Sequence, residues 1–171
     1  MAPPSRARLF AKDLLFTAVF PCGVAVWIPL AWFSPDRGAL PLGPARWSGL
    51  PLLAFGAAVY LRCLLDFARA AGTPAPVDPP KALVVHGLYR FVRNPMYLGV
   101  LSATFGMGLL LASGRLLLYG LVVFAGFSCF VLLHEEPTLS AQFGPAYTRY
   151  RAAVPRWIPR LRPWDGGKIE P

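Results

Sequence analysis

Two short polar segments of this chain lie beside strongly apolar stretches and carry residue types that can do chemistry. The first, residues 81–99, combines cations, tyrosines and glycines and contains Arg93. The second is the pair Glu135 and Glu136, which follows the last apolar stretch. Charge is costly near a bilayer core, so charged side chains at such positions predict a functional site. An arginine and a carboxylate pair together suit a ligand that carries charges of both signs.

S-Adenosylmethionine is a ligand of that kind, with a carboxylate, an ammonium, a sulfonium and an aromatic adenine. Arg93 can meet its anionic end, and a glutamate can meet its cationic end. Tyr89 and Tyr97 offer aromatic surface for stacking or cation–π contact, although tyrosines at a membrane boundary are usually interfacial anchors. Gly106 and Gly108 would let a ligand approach the backbone closely, although a Gly-x-Gly pair in a membrane span is more typical of helix packing. Each of these features alone is weak evidence, and only the combination of arginine, carboxylates, tyrosines and glycines favours a cofactor site.

The composition favours a single membrane-embedded unit over residues 1–171. With 56% hydrophobic and 15% charged residues, the chain is too apolar for an ordinary soluble domain of its length. Its formal charge of +9 comes from basic residues beside apolar runs, which indicates an anionic membrane surface rather than a nucleic-acid partner. The two histidines and three cysteines lack the spacing of a metal site, so no metal is expected.

Four apolar runs predict an all-α integral membrane protein with about four transmembrane helices. The predicted spans are 14–33, 47–67, 96–111 and 116–133. Only four residues separate the last two spans, which predicts a helical hairpin. Near the end of the second span, Arg62 and Asp66 lie four residues apart, a spacing typical of a snorkelling arginine paired with an interfacial aspartate.

The basic residues that flank the spans predict an orientation. With a cytoplasmic N-terminus, thirteen of the 17 lysines and arginines lie on the cytoplasmic side, three lie on the other side and Arg62 lies in a span. This asymmetry predicts a multi-pass protein with both termini in the cytoplasm. Segments 68–95 and 134–159 would then share the cytoplasmic face and form the cofactor site.

The chain after Glu136 has a helical period of apolar and aromatic residues. These residues recur at spacings of four, four and three: Leu139, Phe143, Tyr147 and Tyr150. Gly144 and Pro145 divide the run, because proline suits the first turn of a new helix. The pattern predicts two short interfacial helices at the cytoplasmic surface.

A fixed order of residues runs through both polar segments. In chain order its members are Leu83, Val84, Gly87, Tyr89, Arg93, Asn94, Pro95, Tyr97, Gly99, Glu135, Glu136, Leu139, Phe143, Gly144, Tyr147, Tyr150, Val154, Pro155 and Arg156. This order resembles the isoprenylcysteine carboxyl methyltransferase family and its phospholipid-methyltransferase relatives. The resemblance covers residues from about 81 to 159, and the first two spans show no such signature.

The resemblance implies an integral-membrane methyltransferase that holds S-adenosylmethionine in a cytoplasm-facing pocket and admits a small lipophilic acceptor from the lipid bilayer. The positions it assigns to the cofactor are Lys81, Leu83, Val84, Tyr89, Asn94, Tyr97, Gly106, Gly108 and Glu136. It places Arg93 at or beside the reacting centre, and Glu135 completes the acidic pair as a catalytic residue. For an amine or alcohol acceptor, Glu135 and His134 are the candidate bases.

Departures from the family pattern leave the acceptor open. Lys81 and Asn94 stand where the family commonly has histidine, and both keep hydrogen-bonding capacity. Carboxyl-methylating members carry an arginine shortly before the acidic pair, whereas residues 131–134 of this chain include none. The leading hypothesis is therefore an isoprenylcysteine carboxyl methyltransferase-like enzyme with an unidentified lipophilic acceptor, and methylation of a phospholipid amine is the alternative. A non-catalytic four-span scaffold or small transporter is the alternative from a different class.

Overall fold

The fold is described by a computed structural model over residues 19, 21–33, 40–69 and 83–166. Within these ranges the chain contains no strand, which confirms the predicted all-α class for the part described. The α-helices are α1 (Ile28–Phe33), α2 (Gly49–Arg69), α3 (Pro95–Leu110), α4 (Gly114–Phe130) and α5 (Glu136–Ala153). Short 3₁₀ helices cover Gly43–Ser48 and Gly87–Arg90, and π-helical turns cover Gly23–Trp27 and Val131–Glu135.

Two helical stretches of the described residues have the length and composition of membrane helices. The stretches that could cross a bilayer, judged on these two properties alone, are Gly43–Asp66, which includes most of α2, and Gly114–Ala153, which runs from the start of α4 to the end of α5. Shorter apolar helices cover Gly23–Trp32 and Pro95–Leu110. On α4, Leu118, Leu121 and Val122 are each more than half exposed, so this surface suits lipid better than water. A membrane protein is supported, and the number of spans stays a prediction.

Helices α2 and α3 pack backbone to backbone through a glycine seam, formed by Gly49 and Gly56 of α2 with Gly99 and Gly106 of α3. A Cβ on Gly56 would lie 2.5 Å from the Gly99 carbonyl oxygen, and Gly49 meets the Gly106 carbonyl in the same way. Packing through small residues is typical of helices that associate in membranes. The order of these contacts means that α2 and α3 run in opposite directions.

The first described helix packs across the α2–α3 pair. It runs through residues 21–33 and includes the first π-helical turn. Ala25 lies in a buried cluster with Tyr60 of α2 and Val100 of α3. The rest of the predicted span 14–33, apart from residue 19, lies outside the described residues.

Helix α4 follows α3 after a short turn and packs against it. The Ser113 side chain caps α4 by accepting a hydrogen bond from the Leu116 N–H at 3.2 Å. Gly108 of α3 abuts Leu117 of α4. Because the cap fixes the start of the helix, α4 begins two residues before the predicted span 116–133.

Helix α5 bends in its middle, as the Gly144–Pro145 pair predicts. Gly144 has a φ of 49° and a ψ of −124°, outside the helical region, and Pro145 starts the second half. A positive φ costs glycine little, because it has no Cβ to clash with the backbone. The helix therefore turns at a residue suited to the turn.

The aromatic face of α5 is covered by the chain itself. Tyr147 and Tyr150 form a buried cluster with Val154, and Leu83 and Trp164 pack against that cluster. The periodicity predicted this face correctly, and residues from other segments of the protein cover it. The interfacial position of α5 stays a prediction for its remaining surface.

The connection before α3 returns to α2 at a buried aspartate. Asp66 is 1% exposed, and a Cβ on Gly87 would collide with its carboxylate. Gly87 also has a φ of 58°, a conformation that favours glycine. Arg62 Nε lies 3.6 Å from Asp66 Oδ2. The sequence pattern predicted this spacing as an interfacial pair, whereas the aspartate lies beneath the loop.

Candidate active site

Three segments meet at one end of the α2–α3 pair: the start of α3, the end of α4 and residues 154–157. Pro95 opens α3, because its fixed φ and missing N–H suit a first helical turn. The π-helical turn Val131–Glu135 widens the helix just before Glu136, and such turns occur often at functional sites. Together these elements bring Arg93 and Glu136, 43 residues apart in sequence, into contact.

Glu136 is a buried carboxylate held between two arginines. Its Oε1 accepts hydrogen bonds from Arg93 Nη1 at 2.6 Å and from Arg156 Nε at 2.7 Å, and its Oε2 accepts one from Arg156 Nη2 at 3.0 Å. The side chains of Glu136 and Arg93 are 8% and 10% exposed, and that of Arg156 is 29% exposed. Two-pronged arginine–carboxylate contacts are strong and fix orientation. We call this region, with Arg93, Glu135, Glu136 and Arg156, the carboxylate end.

Glu135 has a different partner. The Tyr97 hydroxyl donates a hydrogen bond to Glu135 Oε2 at 3.0 Å. The Tyr97 ring packs against Phe127 and Trp157, with ring centroids 4.7 Å and 6.4 Å away. These aromatic contacts orient the hydroxyl toward the carboxylate. Neighbouring carboxylates are thus bonded to a phenol in one case and to guanidinium cations in the other.

The two carboxyl groups, both beyond the predicted span 116–133, consequently differ in acidity. Burial raises the pKa of Glu135 above its usual range, and the hydrogen bond from Tyr97 offsets only part of this effect. Burial acts on Glu136 too, but the hydrogen bond from Arg156 and the charge of Arg93 outweigh it and hold the pKa of Glu136 below its usual range. Neighbouring groups whose pKa values are pushed apart mark sites where one group can exchange a proton while the other stays charged.

A small cavity lies among these side chains. Its lining includes Arg93, Asn94, Glu135, Tyr147 and Tyr150. Arg93 Nε is buried with no hydrogen-bond partner among the described residues. A buried guanidinium N–H of this kind suits an anionic group, and Glu135 offers the opposite charge. The donors and acceptors therefore match a ligand with charges of both signs in type. The cavity of about 20 Å³ has room for about one water molecule, so a larger ligand requires these side chains to move.

The sequence-predicted residues that the structure brings together at this cavity are Arg93, Asn94, Tyr97, Glu135 and Glu136. Asn94 is buried, and its Nδ2 donates to the Arg156 carbonyl oxygen at 3.3 Å. This bond ties the segment after α5 to the start of α3. The two polar segments of the sequence thus form one cluster in space.

Leu83, Val84 and Tyr89 lie beside the cavity rather than on its lining. Leu83 packs against the tyrosine cluster of α5. Val84 and Tyr89 are buried with Cys63 of α2. The Tyr150 hydroxyl, on the cavity lining, donates to the Tyr89 carbonyl oxygen at 2.8 Å. These residues support the site from behind, and direct contact with a cofactor stays a prediction for them.

Gly106 and Gly108 are not part of this cluster. They lie nine and eleven residues beyond Tyr97 on α3, which is about 14 and 17 Å along the helix. Gly106 packs on the backbone of α2, and a Cβ on Gly108 would lie 2.7 Å from a methyl of Leu117. The structure gives both glycines a helix-packing contact, and their cofactor role stays a prediction. Lys81 lies outside the described residues.

Arg156 and Trp157 reach the site without having been assigned to it from the sequence. Arg156 follows Glu136 by 20 residues, in a non-helical segment where no periodicity indicates which way a side chain points. The available signal was its place at the end of the matching residue order. The Arg156 guanidinium lies beside Glu136. It therefore supplies an arginine next to the acidic pair, where residues 131–134 supply none.

Comparison with known proteins shows which family this chain resembles. The family model described as phospholipid methyltransferase matches residues 45–146, which is more than half of the chain. A curated protein of Schizosaccharomyces pombe, Protein-S-isoprenylcysteine O-methyltransferase, is 38% identical over 80 residues. That alignment covers 46% of this chain and 34% of the relative, so the chain spans about a third of that relative's length.

Proposed function

The chain belongs to the phospholipid methyltransferase family, and on that basis we propose that it is an integral-membrane enzyme that transfers a methyl group from S-adenosylmethionine to a lipophilic acceptor. The observation that carries this proposal is the contact between Arg93 and Glu136, at 2.6 Å, beside a second carboxylate, Glu135. Cations and carboxylates concentrated at one end of an apolar helix pair suit a charged methyl donor.

The donor would be held by the residues that line the cavity. Arg93, with a buried N–H that lacks a partner among the described residues, suits the carboxylate of the amino-acid part. Glu136 keeps Arg93 in position, and Glu135 provides a counter-charge for the cationic part. Tyr147 and Tyr150 offer aromatic surface on the same lining.

Bound S-adenosylmethionine supplies an electrophilic methyl group on a sulfonium. Residues of this chain then contribute position, charge and exclusion of water. Well-oriented reactants gain on the order of 7–11 kcal/mol from positioning alone. Glu135, whose pKa is raised by burial, can accept the proton that an amine or alcohol acceptor releases, and Tyr97 orients its Oε2. A carboxylate acceptor needs no base.

The acceptor is proposed to be lipophilic and to carry an anionic group. Arg156 is the more exposed of the two arginines on Glu136, so it can turn to an incoming anion while Arg93 keeps Glu136 paired. Both acceptor classes fit this requirement, because an isoprenylcysteine carries a carboxylate and a phospholipid carries a phosphate. The relative's name favours the first class and the family's name favours the second.

The proposed membrane placement has four spans, with α3 and α4 as a helical hairpin and both termini in the cytoplasm. The carboxylate end then lies at the cytoplasmic surface. A reporter fused after Pro171 is expected to give a cytoplasmic signal, and a signal from the opposite side would reverse the orientation.

The direct test is methylation of lipid extracts by the purified protein with S-adenosylmethionine labelled in its methyl group, followed by identification of the labelled product. We expect a labelled lipid with wild type and none with Arg93→Ala, because the cavity then lacks its buried cation. Product identity separates a methyl ester from a methylated phospholipid amine. Full turnover by Arg93→Ala would contradict the role given to that residue.

A non-catalytic scaffold is separated from the enzyme by donor binding. Calorimetry on detergent-purified protein is expected to show S-adenosylmethionine binding that Glu136→Ala and Tyr97→Ala each weaken. No binding by wild type, with both variants behaving like it, would favour the scaffold.

A further inference from the structure

A loop after α5 exposes large apolar side chains beside the carboxylate end. In this tryptophan loop, residues 157–162, Ile158 is 78% exposed and Leu161 is 100% exposed. Arg160 and Arg162 alternate with them along the chain. Arg162 is exposed as well, whereas Nη1 of Arg160 is buried. Exposed apolar side chains beside an exposed arginine mark a surface suited to the boundary between lipid tails and headgroups.

The tryptophan loop is anchored by backbone hydrogen bonds. The Arg160 N–H donates to the Phe91 carbonyl oxygen at 2.9 Å, and the Trp164 N–H donates to the Arg90 carbonyl oxygen at 2.9 Å. The segment is therefore fixed against the connection that leads into α3. Ile158 and Leu161 are presented to the outside by an ordered segment, not by a loose tail.

The position of Trp157 sets the depth of the loop. Its ring packs against Phe124 of α4, with centroids 5.2 Å apart. Phe124 lies six residues before the end of α4, about 9 Å along the helix axis. Phe124 lies well inside the predicted span 116–133. The Trp157 ring therefore lies at the depth of α4 residues whose outward-facing side chains are apolar.

The backbone of the loop is suited to such a place. Non-helical backbone near lipid is tolerated only where its polar groups are satisfied. Pro155, Pro159 and Pro163 have no N–H to satisfy. The Arg160 N–H is already bonded within the protein. Within the loop itself, Pro159 and Arg160 thus bring no free N–H, and its remaining N–H groups need water or headgroups at the leaflet surface.

We propose that the tryptophan loop inserts into the bilayer leaflet nearest the carboxylate end, with Ile158 and Leu161 among the acyl chains and Arg162 toward anionic lipid headgroups. The proposal rests on the membrane placement given under the proposed function. Exposed apolar side chains favour the acyl region, and arginine near an anionic surface adds attraction. Trp157 also contacts Tyr97, the partner of Glu135, so the loop joins the leaflet to the site.

Photo-crosslinking in bilayer nanodiscs tests this insertion. The photoreactive residue p-benzoylphenylalanine is placed singly at Leu161, at Leu121 of α4 or at Thr148 of α5, and the discs contain equal parts of phosphatidylcholine and phosphatidylglycerol. All three positions are exposed, so the replacement disturbs little packing. Leu121 is the control for a lipid-facing span, and Thr148 is the control for an exposed polar position on α5, where contact with headgroups but not with acyl chains is expected.

We expect lipid adducts at Leu161 in a yield close to that at Leu121 and several-fold above that at Thr148. Adducts at Leu121 with none at Leu161 would overturn the insertion of the loop and leave the membrane placement standing. Absence of adducts at Leu121 would overturn the placement itself. Crosslinked dimers through Leu161 in place of lipid adducts would also overturn the proposal, because a second copy would then cover the loop.

The charge part of the proposal has its own readout. Arg162→Gln, combined with the photoreactive residue at Leu161, is expected to lower the share of phosphatidylglycerol among the adducts. The total yield should change little, because Ile158 still contacts lipid. An unchanged share of phosphatidylglycerol would overturn the role of Arg162 toward anionic headgroups.

Discussion

The two ends of the α2–α3 pair differ in charge although one glycine seam runs between them. At the carboxylate end, buried Glu136 is bonded by Arg93 and Arg156. The opposite end has a shallow depression whose lining contains one charged residue, Arg46, with its guanidinium over the Trp47 ring. The seam thus sets the distance between the helices, and the chemistry is confined to one end. Substitutions in the seam should lower stability, whereas substitutions at the carboxylate end should lower activity.

The largest expected effect comes from Glu136→Gln. The change leaves two guanidinium cations facing a neutral amide, and removing one partner of a buried ion pair costs about 3–5 kcal/mol. We expect methyl transfer to be lost, measured with labelled S-adenosylmethionine in proteoliposomes, together with a lower melting temperature.

The matched control for Glu136→Gln is Asp165→Asn. Asp165 is also bonded to an arginine, Arg90, at 3.0 Å, but its side chain is 92% exposed. Pairs of that kind contribute about 0–1 kcal/mol. Equal losses of activity in the two variants would mean that burial at the carboxylate end has no special role.

The next effect is expected from Gly106→Leu in the seam. A Cβ at Gly106 would lie 2.6 Å from the Leu53 nitrogen of α2, so the helices must separate. Overpacking of this kind costs about 1–3 kcal/mol. Thermal unfolding in detergent should show the loss, while the protein that remains folded should bind S-adenosylmethionine as wild type does.

Gly126→Leu is the control for the seam substitution. Gly126 lies on α4, and nothing lies within 4 Å of a Cβ built there. We expect its melting temperature to stay close to that of wild type. Loss of cofactor affinity by folded Gly106→Leu would instead support the cofactor role that the resemblance implies for this glycine.

A smaller effect is expected from Gly87→Ala in the loop before α3. Comparison with Gly144→Ala separates the cost of backbone strain from the cost of a steric collision. Gly87→Ala and Gly144→Ala both place a side chain at positive φ, which costs about 1–2 kcal/mol. Only the first also meets a carboxylate, that of Asp66, because the space around Gly144 is open. Chemical unfolding should therefore show a larger loss for Gly87→Ala. Equal losses of stability in the two variants would mean that the Asp66 side chain moves away from the new methyl group at no cost in free energy.

The smallest expected effect is a change in pH dependence with Tyr97→Phe. The Tyr97 hydroxyl favours ionised Glu135, so its removal raises the pKa of Glu135 further. If ionised Glu135 is the active form, acidification should abolish the activity of Tyr97→Phe at a higher pH than it abolishes the activity of wild type. The control is Tyr119→Phe, since Tyr119 donates to the Val24 carbonyl oxygen away from the site. Identical acid limits in wild type and Tyr97→Phe would contradict the role of Glu135.

The sequence predicted the helical class and three of the four residues that form the carboxylate end, but not Arg156. Hydrophobic runs report helices because burial and period are local properties. Arg93, Glu135 and Glu136 were found because charge beside apolar runs is uncommon and their order is specific. Pro145 predicted the bend of α5 for a local reason as well, since proline fixes its own φ.

Contacts made by irregular segments were not predictable in the same way. Arg156 reaches Glu136 from a segment without helical period, and the position of Asp66 under Gly87 depends on how a loop returns to α2. The start of α2 also differs from the prediction: the helix begins at Gly49, after a 3₁₀ turn, whereas the predicted span begins at residue 47. Such details depend on tertiary packing, which no local pattern contains.

We expect the methyl donor to bind at the carboxylate end, and calorimetric titration of S-adenosylmethionine tests this claim with the same substitution at both ends of the α2–α3 pair. Arg93→Ala should lose binding, because the cavity loses its buried cation. Arg46→Ala, at the opposite end of the α2–α3 pair, should bind as wild type does. Wild-type affinity in Arg93→Ala, or loss of affinity in Arg46→Ala alone, would contradict the claim.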